Sequence, residues 1–146
     1  MYYTEEEIKG AIERATSTIT LITESCTEYT RGLNDCLALL AEYDLELRGE
    51  TKARDIVDTP WNSTKEWLVK LARKGYSVKT FIEYCGYEIV ANKKPKLGDI
   101  AFYEGGMINS GKFWISTNED NSGVTNRMRV TFYESRIPII ARPVRT

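Results

Sequence analysis

The sequence predicts an α+β domain, and three observations carry that prediction. From Glu5 to about Gly86, apolar side chains recur at helical spacing behind recognisable caps, whereas from Tyr87 onward short β-branched and aromatic runs alternate with Gly, Asn, Asp and Pro. With 42% hydrophobic and 28% charged residues, the 146-residue chain can bury a sizeable core. No internal repeat, low-complexity tract or Gly/Ser/Pro-rich linker divides it, so one domain over residues 1–146 is expected.

Thr4 followed three residues later by Glu7 forms a capping box, and Ile8, Ala11, Ile12 and Ala15 define one buried face of a first helix. Alternation over Thr18–Thr23 is also compatible with a strand, but the flanking Ala and Glu residues extend the helix to about Glu24. A short connection containing Gly32, suited to a tight backbone approach, leads to Asn34 and Asp35, either of which caps the next helix. That helix, Cys36 to Arg48, is apolar around much of its circumference and ends at Gly49, which makes it the central one. Beyond a polar connection and Pro60-Trp61, Asn62 or Ser63 caps a third helix bearing Trp67, Leu68 and Leu71 and stopping at Gly75. Ser77 opens a short fourth helix ending near Gly86.

Five strands follow: Tyr87–Val90, Ile100–Tyr103, Lys112–Ser116, Arg127–Tyr133 and Ile137–Arg142. They are expected to form an antiparallel sheet of about five strands, with Gly105-Gly106 and Asn118–Gly123 as hairpin turns. Of Phe113, Trp114 and Ile115, one faces away from the core unless both sheet faces are covered, and an outward aromatic there marks a protein partner.

Charge and composition exclude several function classes. Twenty Lys and Arg against twenty-one Asp and Glu produce no global field for nucleic acid or anionic lipid, so no nucleic-acid partner is expected. No run of eighteen apolar residues exists and the acidic start Met1–Glu7 lacks a signal-peptide pattern, so no membrane insertion and a cytoplasmic site of synthesis are expected. The local run Lys93-Lys94-Pro95-Lys96 reads as a solvated turn, with a polyanion contact as the alternative.

The chain contains no histidine, which removes the usual general base and the Ser/His, Cys/His and most zinc mechanisms. Three cysteines without a Cys-x-x-Cys pair support neither a disulfide framework nor a metal site, and no metal or other cofactor is expected. Cys36 is nevertheless placed where a nucleophile belongs, at a helix amino terminus whose partial positive charge favours thiolate; the alternative is a small buried hydrophobe.

Tyr29-Thr30-Arg31-Gly32-Leu33-Asn34-Asp35-Cys36 at a helix start, and Lys94-Pro95-Lys96-Leu97-Gly98-Asp99-Ile100-Ala101-Phe102-Tyr103 about sixty residues on, resemble the papain-like NlpC-type cell-wall peptidases. The similarity extends from Tyr29 to Ala141 and is closest to the small phage-encoded members. The resemblance implies a papain-like fold with Cys36 in the nucleophile position and Asp35 opening the nucleophile helix. It also implies that the strand after the Gly98-Asp99 turn leads to a second strand beginning with a catalytic histidine. Taking that strand as the segment Asn109–Ser116 places the missing histidine near Ser110 or Gly111. Lys112 is the one neighbour with a basic side chain, and it needs burial to serve as a proton acceptor. Asn34, Asp35, Asp99, Lys112 and Trp114 are the binding candidates; Asp35 and Asp99 read equally as a helix cap and a turn residue.

By resemblance, the expected function is that of a phage virion component. It would be tail-associated, structural or assembly-related, on a catalytically degenerate scaffold, in an oligomeric assembly with other virion proteins. Two alternatives are an active thiol peptidase or amidase acting on peptidoglycan peptides through Cys36 with a non-histidine or partner-supplied base, and a cytoplasmic phage accessory protein that binds a host factor. Expected localisation is the host cytoplasm during synthesis and then the virion.

Overall fold

The computed structural model describes residues 1–31, 33–54, 64–103 and 105–145. Its order is α1 (Glu5–Ser25), α2 (Cys36–Arg48), α3 (Thr64–Arg73), α4 (Val78–Tyr84), β1 (Tyr87–Ile89), β2 (Ile100–Phe102), β3 (Gly106–Asn109), β4 (Phe113–Thr117), β5 (Val124–Arg129) and β6 (Ile139–Pro143). The chain is thus α+β, helices first and sheet second.

The helices begin where their caps place them. Thr4 and Glu7 make the reciprocal capping box of α1, Asp35 caps α2 and Gly49 closes it with φ 82°, and Ser77 with Thr80 caps α4. In α1 the helical reading of Thr18–Thr23 prevails because Ile19 shares a face with Ile8, Ala11, Ile12 and Ala15, all buried. The cap expected for α3 at Asn62 or Ser63, and Pro60-Trp61, lie outside the described residues, as does Gly32.

All strand pairings are antiparallel, in the order β1-β6-β2-β3-β4-β5. There are six strands rather than five. The additional one, β3, starts inside the Gly105-Gly106 pair expected to be only a turn. Gly106 is there for a packing reason: a Cβ would lie 2.5 Å from the Leu40 side chain of α2. The fourth expected strand is also displaced: β5 covers Val124–Arg129, and residues 130–138 run as a loop.

Period-two alternation divides the sheet between two cores. Ile100, Ile108, Ile115 and Ala141 join the helices in the main cluster with Leu39, Leu40, Tyr43 and Trp67. Ala101, Met107, Trp114 and Ile140 point the other way and are closed over by Val90 and Ile137. Trp114 is 0% exposed, so the expectation of an outward aromatic partner site at this strand is corrected: both faces are covered.

The tightest joint between layers is at Gly98, which has φ 89°. The Tyr43 hydroxyl of α2 donates to its carbonyl at 2.6 Å, and a Cβ would meet Ile8 atoms at 2.5 and 2.8 Å. Gly98→Ala is therefore expected to destabilise the domain by on the order of 3 kcal/mol in urea denaturation. Gly49→Ala, with a similar φ of 82° but open space around it, is expected to cost only about 1–2 kcal/mol. Equal losses would refute the packing account.

Candidate functional site

Cys36 is the first residue of α2 and is half-buried. Asp35 sets the helix start: its carboxylate accepts from the Ala38 N–H at 2.9 Å. Tyr29, a half-buried residue from the loop before the helix, sets its phenol beside the Cys36 backbone and the Thr117 hydroxyl of β4. Burial, with the charges of Cys36 and Asp35 nearby, raises the Tyr29 pKa.

Across from the sulfur lies the beginning of β3. Gly106 lies beside Sγ, its N–H favouring the thiolate, and a Cβ on Gly105 would stand 3.4 Å from it. Burial pushes the thiol pKa up, and the Asp35 charge adds to this; the Gly106 N–H, Arg127 and Arg31 oppose it without prevailing. The helix amino terminus alone would favour thiolate, but desolvation decides the outcome: the thiol is protonated at neutral pH.

A cleft of about 460 Å³ opens over the sulfur. Its walls are apolar, from Leu37 of α2, Trp67 and Leu68 of α3, Val78 of α4, Phe102 of β2 and Ile139 of β6; Arg31 and Asp35 supply charge at the Cys36 end. Such a lining suits an apolar group held near a few polar atoms.

The other sequence-derived candidates do not converge on the sulfur. Asn34 is 2% exposed; it accepts from the Thr30 N–H at 2.7 Å and donates to Asn121 at 2.8 Å. It therefore ties the α1–α2 loop to the β4–β5 turn. Asp99 is 0% exposed and forms a two-pronged pair with Arg142, 2.8 Å on each arm, while accepting from the Lys96 N–H at 2.8 Å. Its role is structural. Trp114 is enclosed, its indole N–H donating to buried Glu134 at 3.3 Å.

Ser110 and Lys112 stand apart from the sulfur. The residues that border it are Gly105 and Gly106, at the beginning of β3 and not at its far end. Ser110 lies five residues along from Gly105, about 16 Å for extended chain, and its hydroxyl donates to the Phe113 carbonyl. Lys112 is exposed, so it lacks the burial that a lysine base requires. What sequence reasoning missed is the Tyr29, Gly105 and Gly106 ring around the sulfur. Tyr29 lay within the Cys36 motif, but two glycines carry no chemical signal.

Among the described residues no group of three His, Cys, Asp or Glu side chains is placed to hold a metal ion, and no helix is long and apolar enough to cross a membrane. Compared with protein-family models, curated proteins and solved structures, the chain matches none.

The raised thiol pKa predicts the reactivity of Cys36. Alkylation by iodoacetamide at pH 7, followed by peptide mass mapping, is expected to be several-fold slower at Cys36 than at a free cysteine, with a rate still climbing above pH 9. A rate that levels off below pH 8 would mean an activated thiolate and would refute this reading of the site.

Proposed function

We propose that this chain is a catalytically silent domain of papain-like, NlpC type that acts by contact, as a structural or assembly component of a phage particle. The observation that carries the reading is the face opposite the sulfur. A cysteine stands at the start of the central helix, as in a thiol hydrolase, yet the described residues that face it at the start of β3, Gly105 and Gly106, carry no proton acceptor.

The backbone itself reinforces this. Gly105 has φ 125°, a conformation that side chains other than glycine rarely adopt, and any Cβ at Gly106 would collide with Leu40. An imidazole is not one substitution away at either position. General-base assistance is worth about 10²–10⁴-fold in rate, so a protonated thiol without it is a poor catalyst. What remains usable is the apolar cleft and the outer surface, both of which serve binding.

The particle assignment rests on the sequence motifs, supported by the order of helices and sheet and by Cys36 opening the helix packed on that sheet. The purified chain is expected to leave muropeptides intact in a chromatographic assay and to be found by mass spectrometry in gradient-purified particles. Turnover abolished by Cys36→Ala would overturn the silent-site reading. Recovery of the chain only in host complexes, never in particles, would overturn the particle assignment and leave the host-factor alternative.

A further inference from the structure

We infer that this chain associates with copies of itself head to tail, through a basic aromatic knob on the sheet half that docks on an acidic stripe along α1. The inference stands apart from the state of the thiol.

Charge is divided along the sequence although the net is −1. Residues 1–89 hold eleven Lys and Arg against sixteen Asp and Glu, and residues 90–146 hold nine against five. Exposed apolar surface is divided in the same way. Apart from Met1, the most exposed large hydrophobic side chains among the described residues are Phe132 at 72% and Leu21 at 67%. One sits among bases, the other among acids.

The knob is preorganised. Phe132 and Tyr133 meet edge to face, 4.7 Å between ring centroids, and the Lys94 ammonium lies 5.3 Å from each ring. Beneath them, Glu134 is 1% exposed; its carboxylate accepts from the Thr131 N–H at 2.7 Å, and its own N–H reaches the Lys93 carbonyl at 3.2 Å. This moors the aromatic loop to the Lys93–Lys96 turn. Glu134 is the sole acid in residues 90–97 and 127–137, so the turn and loop present only cations, chiefly Lys93, Lys94, Lys96 and Arg136. None of these four forms an ion pair among the described residues.

The stripe lies opposite the buried face of α1. Glu6, Glu13 and Glu24 are separated by seven and eleven residues, close to whole numbers of turns, so they align over about 27 Å of helix. All three are exposed and none has an ion-pair partner among the described residues. Leu21, one turn before Ser25 and three residues before Glu24, offers the apolar seat for a ring.

A second copy supplies what each patch lacks: rings against Leu21 and ammonium groups against free carboxylates. Because knob and stripe are different surfaces, the contact is heterologous and propagates to a ring or filament, as an assembly component requires. A single-stranded nucleic acid fits less well, since the Lys94 ammonium occupies the rings on which bases would stack.

Sedimentation velocity on the full chain tests this. At low salt the wild type is expected to form oligomers that grow with concentration and dissociate as salt rises. Lys94→Glu with Lys96→Glu, and separately Glu13→Lys with Glu24→Lys, should each weaken association by on the order of tenfold or more. Mixing these two variants should restore growth, because the native knob of one meets the native stripe of the other and the reversed knob meets the reversed stripe. Phe132→Ser and Leu21→Ser, both at exposed positions, each remove one surface without reversing it, so their mixture should stop at a 1:1 dimer, which also serves if a reversal variant fails to fold. A wild type that stays monomeric at low salt, variants that assemble like the wild type, or a monomer whose knob instead binds anionic vesicles or single-stranded DNA would each overturn the inference.

Discussion

The closeness of α2 to the sheet is the constraint on which the rest depends. At Gly98 and Gly106 the space a side chain would fill is taken by Ile8 and Tyr43 at the first and by Leu40 at the second. Helix side chains thus rest directly on the backbone of the sheet and its turns, and Cys36 lies against the start of β3. That approach buries the sulfur, raises its pKa and sets two glycines beside it. One packing arrangement therefore shapes both the architecture and the surroundings of the thiol.

Two buried ion pairs hold the elements that frame this joint. Arg48, at the end of α2, bonds Asp44 at 2.6 Å and donates to the carbonyls of Gly86 and Val144 at 2.7 and 2.9 Å. Asp44 also accepts from the Tyr87 hydroxyl at 3.1 Å. Arg142 on β6 clasps Asp99 and reaches the Lys94 carbonyl at 3.1 Å. Each guanidinium joins segments far apart in sequence. Breaking one partner would strand a buried charge, so these pairs specify register more than they add net stability.

Much of the fold was legible because helices announce themselves locally. Thr4, Asp35, Gly49 and Ser77 mark termini by side-chain or backbone chemistry that acts within three or four residues, and those termini are found where expected. Strands depend on partners remote in sequence. β3 was hidden because its first residue is a glycine required by Leu40, sixty-six positions earlier, and a Gly-Gly pair read alone signals only a turn. Residues 130–133 read as the end of a strand because Val130, Phe132 and Tyr133 have strand-like composition, yet they fall in the loop at 130–138. Their actual roles are set by Glu134 turning inward to Trp114. The site shows the same division: Cys36 and its cap are evident in the sequence, whereas Gly105 and Gly106, which face the sulfur, arrive through a strand that local composition does not reveal.

The buried carboxylate of Glu134 connects the interior to the surface. A loop bearing two exposed aromatic rings loses conformational entropy when it docks, unless folding has already fixed it. By accepting from Thr131 and Trp114, and by donating its N–H to Lys93, Glu134 makes the loop, the second core and the lysine turn into one unit. The face of the sheet that carries no cleft thus acquires a rigid projection, while the face that carries the cleft holds a thiol whose pKa burial raises. Rigidity of this kind serves shape, and shape held in advance is what a contact between folded surfaces rewards.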